Sequence, residues 1–306
     1  MKKLLTVLFM IAVAIPGRCD GTATLISWPG WTCSSTEDLS LGRKHTSFPL
    51  TYLFDGNPAT PWVFSGTGKH ESSDRKGYAV RLTIDEDRIK PVMVDSIWIM
   101  NGYNKSKALF LRNNRITELK LYADGRLLKT VSLSDCMGWH KISIARQYVS
   151  DLVLRFTKFA KGRDNDVCVS EIALYDRGKK IDLRMPQVVE FTEGDVDCGD
   201  AQEFHVIDRS GKKLETYDIE TASIWSPSGR YIAGVDYDGV FWVVNTATAK
   251  FVMRKKVVAS SRSSASVKKW RGDSSVVVDI ETYKSDSPDE TDSVTSFKTI
   301  RLAGNR

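Results

Sequence analysis

The sequence predicts an all-β protein with two domains. At least seven short segments between residues 78 and 175 are apolar or alternate between apolar and polar residues, as strands do. A second region, 222–246, passes from strand to turn to strand in quick succession. Almost no segment has helical periodicity, and a length of 306 residues allows about two domains.

The strands of the first domain are bounded by turn residues. They are predicted at 78–84, 94–100, 116–122, 127–133, 139–144, 151–156 and 169–175. The dipeptide Asp124-Gly125 stands between two of them, which predicts a hairpin. Seven short strands of this kind predict a β-sandwich over residues 34–177, preceded by a lead-in segment at 20–33.

The second domain is predicted to be a smaller antiparallel β-repeat domain. A linker at 178–203 separates it from the sandwich, and it occupies residues 204–306. The segment 222–246 resembles one blade of a WD-repeat-like β-propeller. Because a closed propeller needs at least four blades of four strands, this length permits only a small antiparallel sheet or an open sandwich.

The N-terminus predicts export. Lys2-Lys3 is followed by the apolar run 4–15, so residues 1–19 have the form of a secretory signal peptide. The apolar run is too short to span a bilayer, and no later transmembrane segment is predicted. Cys19 suggests a lipoprotein anchor, but Arg18 stands where such a signal needs a small residue. We therefore expect a periplasmic or extracellular protein without a lipid anchor.

Export gives the cysteines a possible structural role. Cys33, Cys136, Cys168 and Cys198 lie beyond the signal, and none belongs to a Cys-x-x-Cys pair. Four cysteines permit three disulfide connectivities, and buried free thiols are the alternative.

Charge and motifs exclude several functions. The net charge of +6 comes from interspersed charges of both signs, which is typical of a solvated surface and not of a nucleic-acid interface. The sequence contains no His-Glu-x-x-His motif, nucleophile elbow or Walker loop, so we expect no enzyme activity. A glycosidase remains an alternative, because its two carboxylates need no fixed spacing in sequence; Asp164, Asp166 and Glu171 are the nearest such cluster.

The segment 53–62, Leu-Phe-Asp-Gly-Asn-Pro-Ala-Thr-Pro-Trp, is a dense turn between apolar flanks. Oxygens of Asp55, Asn57 and Thr60 are hard donors that suit a cation such as calcium. The alternative is a hydrogen-bonded Asx turn in which Trp62 fills the core.

Four motifs in this order resemble a known family. They are 53–62, the segment 99–106 (Ile-Met-Asn-Gly-Tyr-Asn-Lys-Ser), the segment 113–121 (Asn-Asn-Arg-Ile-Thr-Glu-Leu-Lys-Leu) and the segment 169–175 (Val-Ser-Glu-Ile-Ala-Leu-Tyr). Together they resemble the discoidin-like, coagulation-factor type C domain of the translocation region of bacterial NAD glycohydrolases, an NADase-type glycan-binding domain. The resemblance implies a galactose-binding-like jelly-roll sandwich that binds glycans. It does not extend to the NAD-cleaving domain.

The resemblance also implies a structural calcium ion. In the wider superfamily a late glutamate closes the site at the Asp-Gly turn, and Glu171 matches it here. The alternative is a hydrogen-bonded turn in which Glu171 caps backbone amides.

Two polar loops are the candidate glycan site, because sugars need aromatic faces and planar polar groups. The candidates are Asn101, Tyr103, Asn104 and Lys105 on the first loop, and Arg112, Asn114 and Arg115 on the second. The alternative is a structural turn at residues 101–103 that Asn114 and Arg115 hold by hydrogen bonds. The predicted function is glycan binding, and an envelope protein-interaction module is the second hypothesis.

Overall fold

The computed structural model describes residues 23–35, 48–65, 78–86, 88–194, 203–217, 223–258, 263–283 and 293–302. The predicted signal peptide, Cys19 and Cys198 lie outside these ranges. In the described part of the chain, no helix is long and apolar enough to cross a membrane.

The described elements are almost all strands. In chain order they are β1 (Ala23–Trp28), β2 (Trp31–Ser35), β3 (Trp62–Ser65), β4 (Ala79–Ile84), β5 (Val92–Asn101), β6 (Arg115–Ala123), β7 (Arg126–Ser132), β8 (Trp139–Val149), β9 (Asp151–Ala160), β10 (Asp166–Asp176), β11 (Lys179–Lys180), β12 (Val188–Gly194), β13 (Glu203–Asp208), β14 (Lys213–Tyr217), β15 (Ile224–Trp225), β16 (Tyr231–Val235), β17 (Val240–Asn245), β18 (Lys250–Lys256), β19 (Ser263–Arg271), β20 (Ser275–Tyr283) and β21 (Ser293–Arg301). A 3-10 helix at Leu50–Phe54 and one short α-helix, α1 (Lys107–Arg112), are also present.

The first domain is the predicted β-sandwich. One wall belongs to a nine-stranded sheet with the order β14-β13-β12-β1-β2-β4-β9-β6-β7, and the other is the sheet β11-β10-β5-β8, to which β3 adds by pairing with β10. Alternate residues of each strand point between the walls, so Ile97 and Ile99 of β5 share one core with Leu119 and Leu121 of β6. The all-β sandwich prediction is confirmed, and so is the hairpin at Asp124-Gly125, where both residues have positive φ.

Trp62 belongs to the core. It is fully buried, and its ring stacks on Phe64 at a centroid distance of 4.7 Å. The turn before β3 thus leads into one of the largest buried side chains of the sandwich, as the Asx-turn interpretation expects.

The two domains share one sheet. β1 pairs with β2 on one side, and on its other side it pairs with β12, which continues to β13 and β14. The predicted lead-in 20–33 therefore holds a central strand, and the predicted linker 178–203 holds β12. The linker prediction was wrong here, because Val188 and Val189 of β12 are fully buried and the strand pairs on both sides.

Glu190 connects the shared sheet to the next layer. Its carboxylate accepts hydrogen bonds from the Trp225 indole at 2.6 Å, the Tyr217 hydroxyl at 2.9 Å and the Ser27 hydroxyl at 3.3 Å. Ser223 also donates to it. A half-buried carboxylate with this many donors stabilises the junction because its charge is solvated by the protein.

The C-terminal part is an open stack of sheets. Strands β15–β18 form an antiparallel meander whose Trp242 ring lies 6.0 Å from Tyr217 of the shared sheet. The meander packs its other face on strands β19–β21, with Phe241, Val243 and Val278 in the second core. On the outer face of the last sheet, Lys268 pairs with Asp279 at 3.2 Å and lies 4.4 Å from the centroid of the Phe297 ring, which is 61% exposed. The prediction of a smaller antiparallel β region after the sandwich is confirmed.

The structure contains no disulfide among the described cysteines. Cys33 and Cys168 are buried free thiols, and Cys136 is an exposed one. Each of the three possible two-disulfide connectivities needs a bond between two of these residues, so none of the three is formed. Burial raises the pKa of the Cys33 and Cys168 thiols, which keeps them protonated.

We expect Trp62→Ala to lower the free energy of unfolding by about 3–5 kcal/mol, because it leaves a large cavity in the core. Urea unfolding of the full chain measures this value. Tyr148→Ala is the control: its side chain is 66% exposed, so the change should stay within about 0.5 kcal/mol. Equal effects of the two substitutions would contradict the position of Trp62 in the core.

Candidate functional site

The turn after the 3-10 helix brings the predicted cation ligands together. The Asp55 carboxylate accepts two hydrogen bonds. One oxygen accepts from the main-chain N–H of Asn57 at 2.7 Å, and the other accepts from the Thr60 hydroxyl at 2.6 Å. The Thr60 hydroxyl also lies 2.8 Å from the main-chain carbonyl of Asn57. The Asn57 side-chain oxygen accepts the Ala59 N–H at 3.1 Å, and its main-chain oxygen accepts the Thr60 N–H at 3.0 Å, so both oxygens of Asn57 already have hydrogen-bond donors. Gly56 has φ +78, which the tight turn requires.

Glu171 lies against this turn from β10. Its side chain is 1% exposed, and neither carboxylate oxygen has a hydrogen-bond partner of normal geometry. The pKa of Glu171 is raised to about 8, mainly by burial and in addition by the nearby Asp55 carboxyl. Two adjacent carboxyl groups without a cation favour one shared proton.

The residues fit a calcium ion. Asp55, Glu171, the Thr60 hydroxyl and the Asn57 carbonyl form an oxygen-only donor set, which is what calcium prefers. The unpartnered oxygens of buried Glu171 would gain ligation. In the part of the chain that the structure describes, no group of three or more His, Cys, Asp or Glu residues could hold a metal ion. This turn has two carboxylates, so a calcium ion here would need further oxygens from the main chain or from water. The Asx-turn alternative uses the same atoms, and its hydrogen bonds are the ones present.

The first candidate loop is held from within. Asn101 is fully buried, and its amide donates to the Ile116 carbonyl at 2.7 Å while its oxygen accepts the Ile116 N–H at 2.9 Å. The Asn101 side chain therefore joins the end of β5 to the start of β6. The next residue, Gly102, has φ +78, and a Cβ there would lie 2.6 Å from the Phe110 ring of α1. The backbone shape at this position needs glycine.

Asn104 ties this loop to the loop before β8. Its side-chain N–H groups donate to the carbonyls of Asn101 at 2.7 Å and Gly102 at 3.0 Å. Its side-chain oxygen accepts the Gly138 N–H at 2.8 Å. With all three bonds made, the Asn104 amide orients the loop.

The second candidate loop has the same character. Asn114 is 3% exposed, and its side-chain oxygen accepts the Gly162 N–H at 2.7 Å. Arg115 is 4% exposed, donates twice to Asp135 at 2.7 Å, and lies over the Phe110 ring at 5.2 Å. This bidentate pair holds the pKa of Asp135 below its ordinary value. The geometry of Asn101, Asn104, Asn114 and Arg115 therefore agrees with the alternative of a hydrogen-bonded structural turn.

Three of the predicted contacts remain accessible. Lys105 is exposed and Tyr103 is half-buried, and burial raises the pKa of the Tyr103 phenol. Arg112 ends α1 with its side chain about half exposed and pairs with Asp164 at 2.5 Å. A glycan role for these three residues stays a prediction.

Sequence reasoning missed Ser170, which joins the two candidate sites. It is fully buried, and its hydroxyl lies 3.0 Å from the Pro58 carbonyl and 2.8 Å from the Gly102 carbonyl. It also accepts the Asn104 main-chain N–H at 3.1 Å. Its position beside Glu171 in the fourth motif was the available signal. One buried residue thus connects the turn at 55–60 to the loop at 102–104.

The carboxylates considered for hydrolysis have separate partners. Asp164 pairs with Arg112, whereas Glu171 faces Asp55.

A family model matches most of the first domain. Residues 31–175, slightly under half of the chain, match the model described as the NAD glycohydrolase translocation F5/8 type C domain. All four motifs on which the resemblance rests lie within the matched residues. No curated protein matches the chain.

Solved structures similar to this chain include several carbohydrate-binding modules. The family 32 module of NanJ from Clostridium perfringens, in complex with galactose, is 18% identical, and the alignment covers 50% of this chain and 99% of that chain with a TM-score of 0.35. The GH89 CBM32-5 module from Clostridium perfringens, in complex with GalNAc-β-1,3-galactose, is 12% identical, with 48% and 95% covered and a TM-score of 0.35. The C-terminal domain of a chitobiase from Bacteroides fragilis is 18% identical, with 52% and 99% covered and a TM-score of 0.35.

We expect the metal-free chain to lose stability as pH rises from about 4.5 to about 8, because folded Glu171 keeps a proton that the unfolded chain releases. Below this window both states are protonated, so the penalty is absent. Glu171→Gln keeps the neutral form and should remove this part of the slope. Urea unfolding in a calcium chelator, at several pH values across the window, measures it.

Glu118→Gln is the matched control for this experiment. Its pKa is lowered by Lys158 and Thr157, so its titration lies below the window and its slope should equal that of the wild type. A Glu171→Gln slope equal to the wild-type slope would contradict the protonated, buried carboxyl.

Proposed function

We propose that this protein is an exported, non-catalytic carbohydrate-binding protein whose first domain binds the glycan. The observation that carries the proposal is the match of residues 31–175 to the F5/8 type C family model. The resemblance of the four motifs to this family implies glycan binding. The rigid loops at one end of the sandwich support it, because a sugar site needs polar groups held in fixed directions.

The accessible side chains at this end are Tyr103, Lys105 and Arg112. Tyr103 offers a ring for the apolar face of a sugar, and the two cations offer donors to its hydroxyls. The buried residues Asn101, Asn104, Asn114 and Arg115 act as positioning residues, since their hydrogen bonds fix the loops that present these three side chains.

A non-catalytic role is supported by how the carboxyl groups are used. Glu171 lies against the turn beside Asp55, and Asp164 forms an ion pair with Arg112. These partners favour a structural role for both carboxyl groups. Export is supported by the signal-like residues 1–19.

We also propose that the turn at 55–60 holds a structural calcium ion. Asp55, Thr60 and Glu171 would hold it together with main-chain carbonyls such as that of Asn57. The ion would supply positive charge that removes the Glu171 proton and links the turn to β10. Through Ser170, this would stiffen the loop at 102–104.

We expect calcium to raise the melting temperature of the wild-type chain and to bind at one site in isothermal titration calorimetry, because it ligates only the folded turn. Asp55→Asn and Glu171→Gln should abolish both effects. Asp124→Asn is the control, since Asp124 also forms an Asp-Gly turn but caps the Ser150 and Asp151 amides. Unchanged calcium binding in Asp55→Asn and Glu171→Gln would contradict the site.

A protein partner is the second candidate function, and one observation favours it. β18 is the last strand of its sheet, so its outer edge is unpaired in the described structure, and Phe251 and Val252 on it are 37% and 42% exposed. Such an edge can accept a strand from another protein. The lysines at both ends of β18 oppose this by disfavouring edge-to-edge pairing.

We expect the full mature chain to bind specific glycans on a broad array, with binding weakened in Tyr103→Ala and Lys105→Ala. Asn101→Ala should weaken binding together with stability, because it removes two buried hydrogen bonds. Phe251→Ala, in the C-terminal stack, is the control and should bind normally. Absence of any specific hit would contradict the glycan proposal and favour the protein-partner candidate.

A further inference from the structure

The outer face of the five-stranded sheet, which contains β3, β5, β8, β10 and β11, carries a row of aromatic rings. Trp98 of β5 lies 6.3 Å from Trp139 of β8 and 5.0 Å from Tyr175 of β10, measured between ring centroids. The neighbours of Trp98 in sequence, Ile97 and Ile99, point into the core, so Trp98 points away from it. We call Trp98, Trp139, Tyr175 and the adjacent Lys141 the outer stripe.

The outer stripe is accessible. Trp139 is 39% exposed, and Trp98 and Tyr175 are half-buried. These rings are not members of the sandwich core, although large aromatic side chains usually contribute their area there. Several aromatic rings in contact on a sheet face are typical of a binding surface, whereas single exposed apolar residues are not.

The outer stripe also carries an unbalanced positive charge. Lys141 is opposite Trp98 in the sheet register, and its ammonium lies 5.9 Å from the Trp98 ring centroid. Among the described residues, no carboxylate pairs with Lys141, and the Trp98 indole N–H has no hydrogen-bond acceptor.

The acidic residues near this face are otherwise engaged. Asp176 receives two hydrogen bonds from Arg146, at 2.6 and 2.9 Å. Glu171 shares the outward direction of Tyr175 on β10 but is 1% exposed and faces Asp55. The stripe thus presents one exposed cationic donor, Lys141, that has no acidic partner among the described residues.

The outer stripe is continuous with the loop site. Trp139 follows Gly138, whose N–H donates to the Asn104 side chain at 2.8 Å. β5, which carries Trp98, ends at Asn101, where the first candidate loop begins. A ligand that reaches Tyr103 and Lys105 can therefore extend along the sheet face.

We propose that the outer stripe binds an acidic oligosaccharide, with a sugar ring stacked on Trp139 and a uronic acid carboxylate beside Lys141. Aromatic faces accept the apolar face of a sugar ring, and the ammonium selects a carboxylate over a hydroxyl. Three rings and one cation are too small a surface for a stable protein interface, which buries about 1,200–2,000 Å² in total. This inference rests on the proposed glycan-binding function and names both a ligand class and a second surface for it.

The test uses uronic acid oligosaccharides and their carboxyl-reduced counterparts, in which an uncharged hydroxymethyl group replaces each carboxylate. Galacturonate and hyaluronan hexasaccharides, in both forms, are titrated into the full mature chain by isothermal titration calorimetry. The variants are Trp139→Ala, Lys141→Gln and Lys141→Arg, with thermal melting as the check of folding. Tyr148→Ala is the matched control, since Tyr148 lies on the same strand and makes no ring contact with the stripe in the described structure.

We expect Trp139→Ala to weaken binding of the acidic oligosaccharide by about tenfold or more. Lys141→Gln should lower the affinity for the acidic form to that for its reduced form, and Lys141→Arg should retain the preference. Tyr148→Ala should bind like the wild type.

Two results would overturn the inference and are distinguishable. If Trp139→Ala and Lys141→Gln bind within about twofold of the wild type while Tyr103→Ala loses binding, the glycan function stands and the outer stripe is rejected. If the wild type binds no oligosaccharide of the panel, the acidic ligand is wrong, and a blank glycan array would show that the proposed function has failed as well.

Discussion

The pairing of β1 on both of its edges is the constraint on which the architecture depends. β1 joins the sandwich wall through β2 and the C-terminal part through β12, so one sheet runs through both. Ser27 of β1 and Trp225 of the next layer meet at the Glu190 carboxylate. Strand pairing and the hydrogen bonds of the Glu190 carboxylate cross the boundary between the sandwich and the C-terminal stack. The C-terminal stack is therefore packed against the sandwich and is not a module tethered by a flexible linker.

A second constraint couples the turn to the loops. Ser170 contacts the carbonyls of Pro58 and Gly102, and Asn104 passes the connection on to Gly138, next to the outer stripe. A proton or a cation at Glu171 would therefore act on the position of the loop through a short chain of buried hydrogen bonds. This arrangement gives a physical reason for an ion that does not touch a ligand to affect ligand binding.

Much of the fold was predictable from local patterns. Alternating strands and the turn at Asp124-Gly125 depend on short-range sequence, and all of the predicted strands of the sandwich are present. The shared sheet was not predictable, because the pairing of β1 with β12 joins residues about 165 positions apart and depends on tertiary packing. The six-residue helix α1 was also missed, since a helix of this length has little periodicity, although Ser106 caps it in the usual way.

The site was predicted less completely. The motifs located two candidate loops, but sequence did not separate side chains that hold a loop from those that face solvent: Asn114 and Arg115 are buried, whereas Lys105 is exposed. Trp98 and Tyr175 were not recognised as surface residues, because strands with mostly apolar residues give no signal for which face is outward.

Hydrogen–deuterium exchange of the full mature chain, with and without a glycan that it binds, tests the central claim most directly. The account predicts slower exchange at residues 101–106 and 138–143, where the loop and the outer stripe meet, and unchanged exchange in β16–β18. Slower exchange confined to β16–β18 would place the ligand on the C-terminal stack and contradict the assignment of glycan binding to the sandwich.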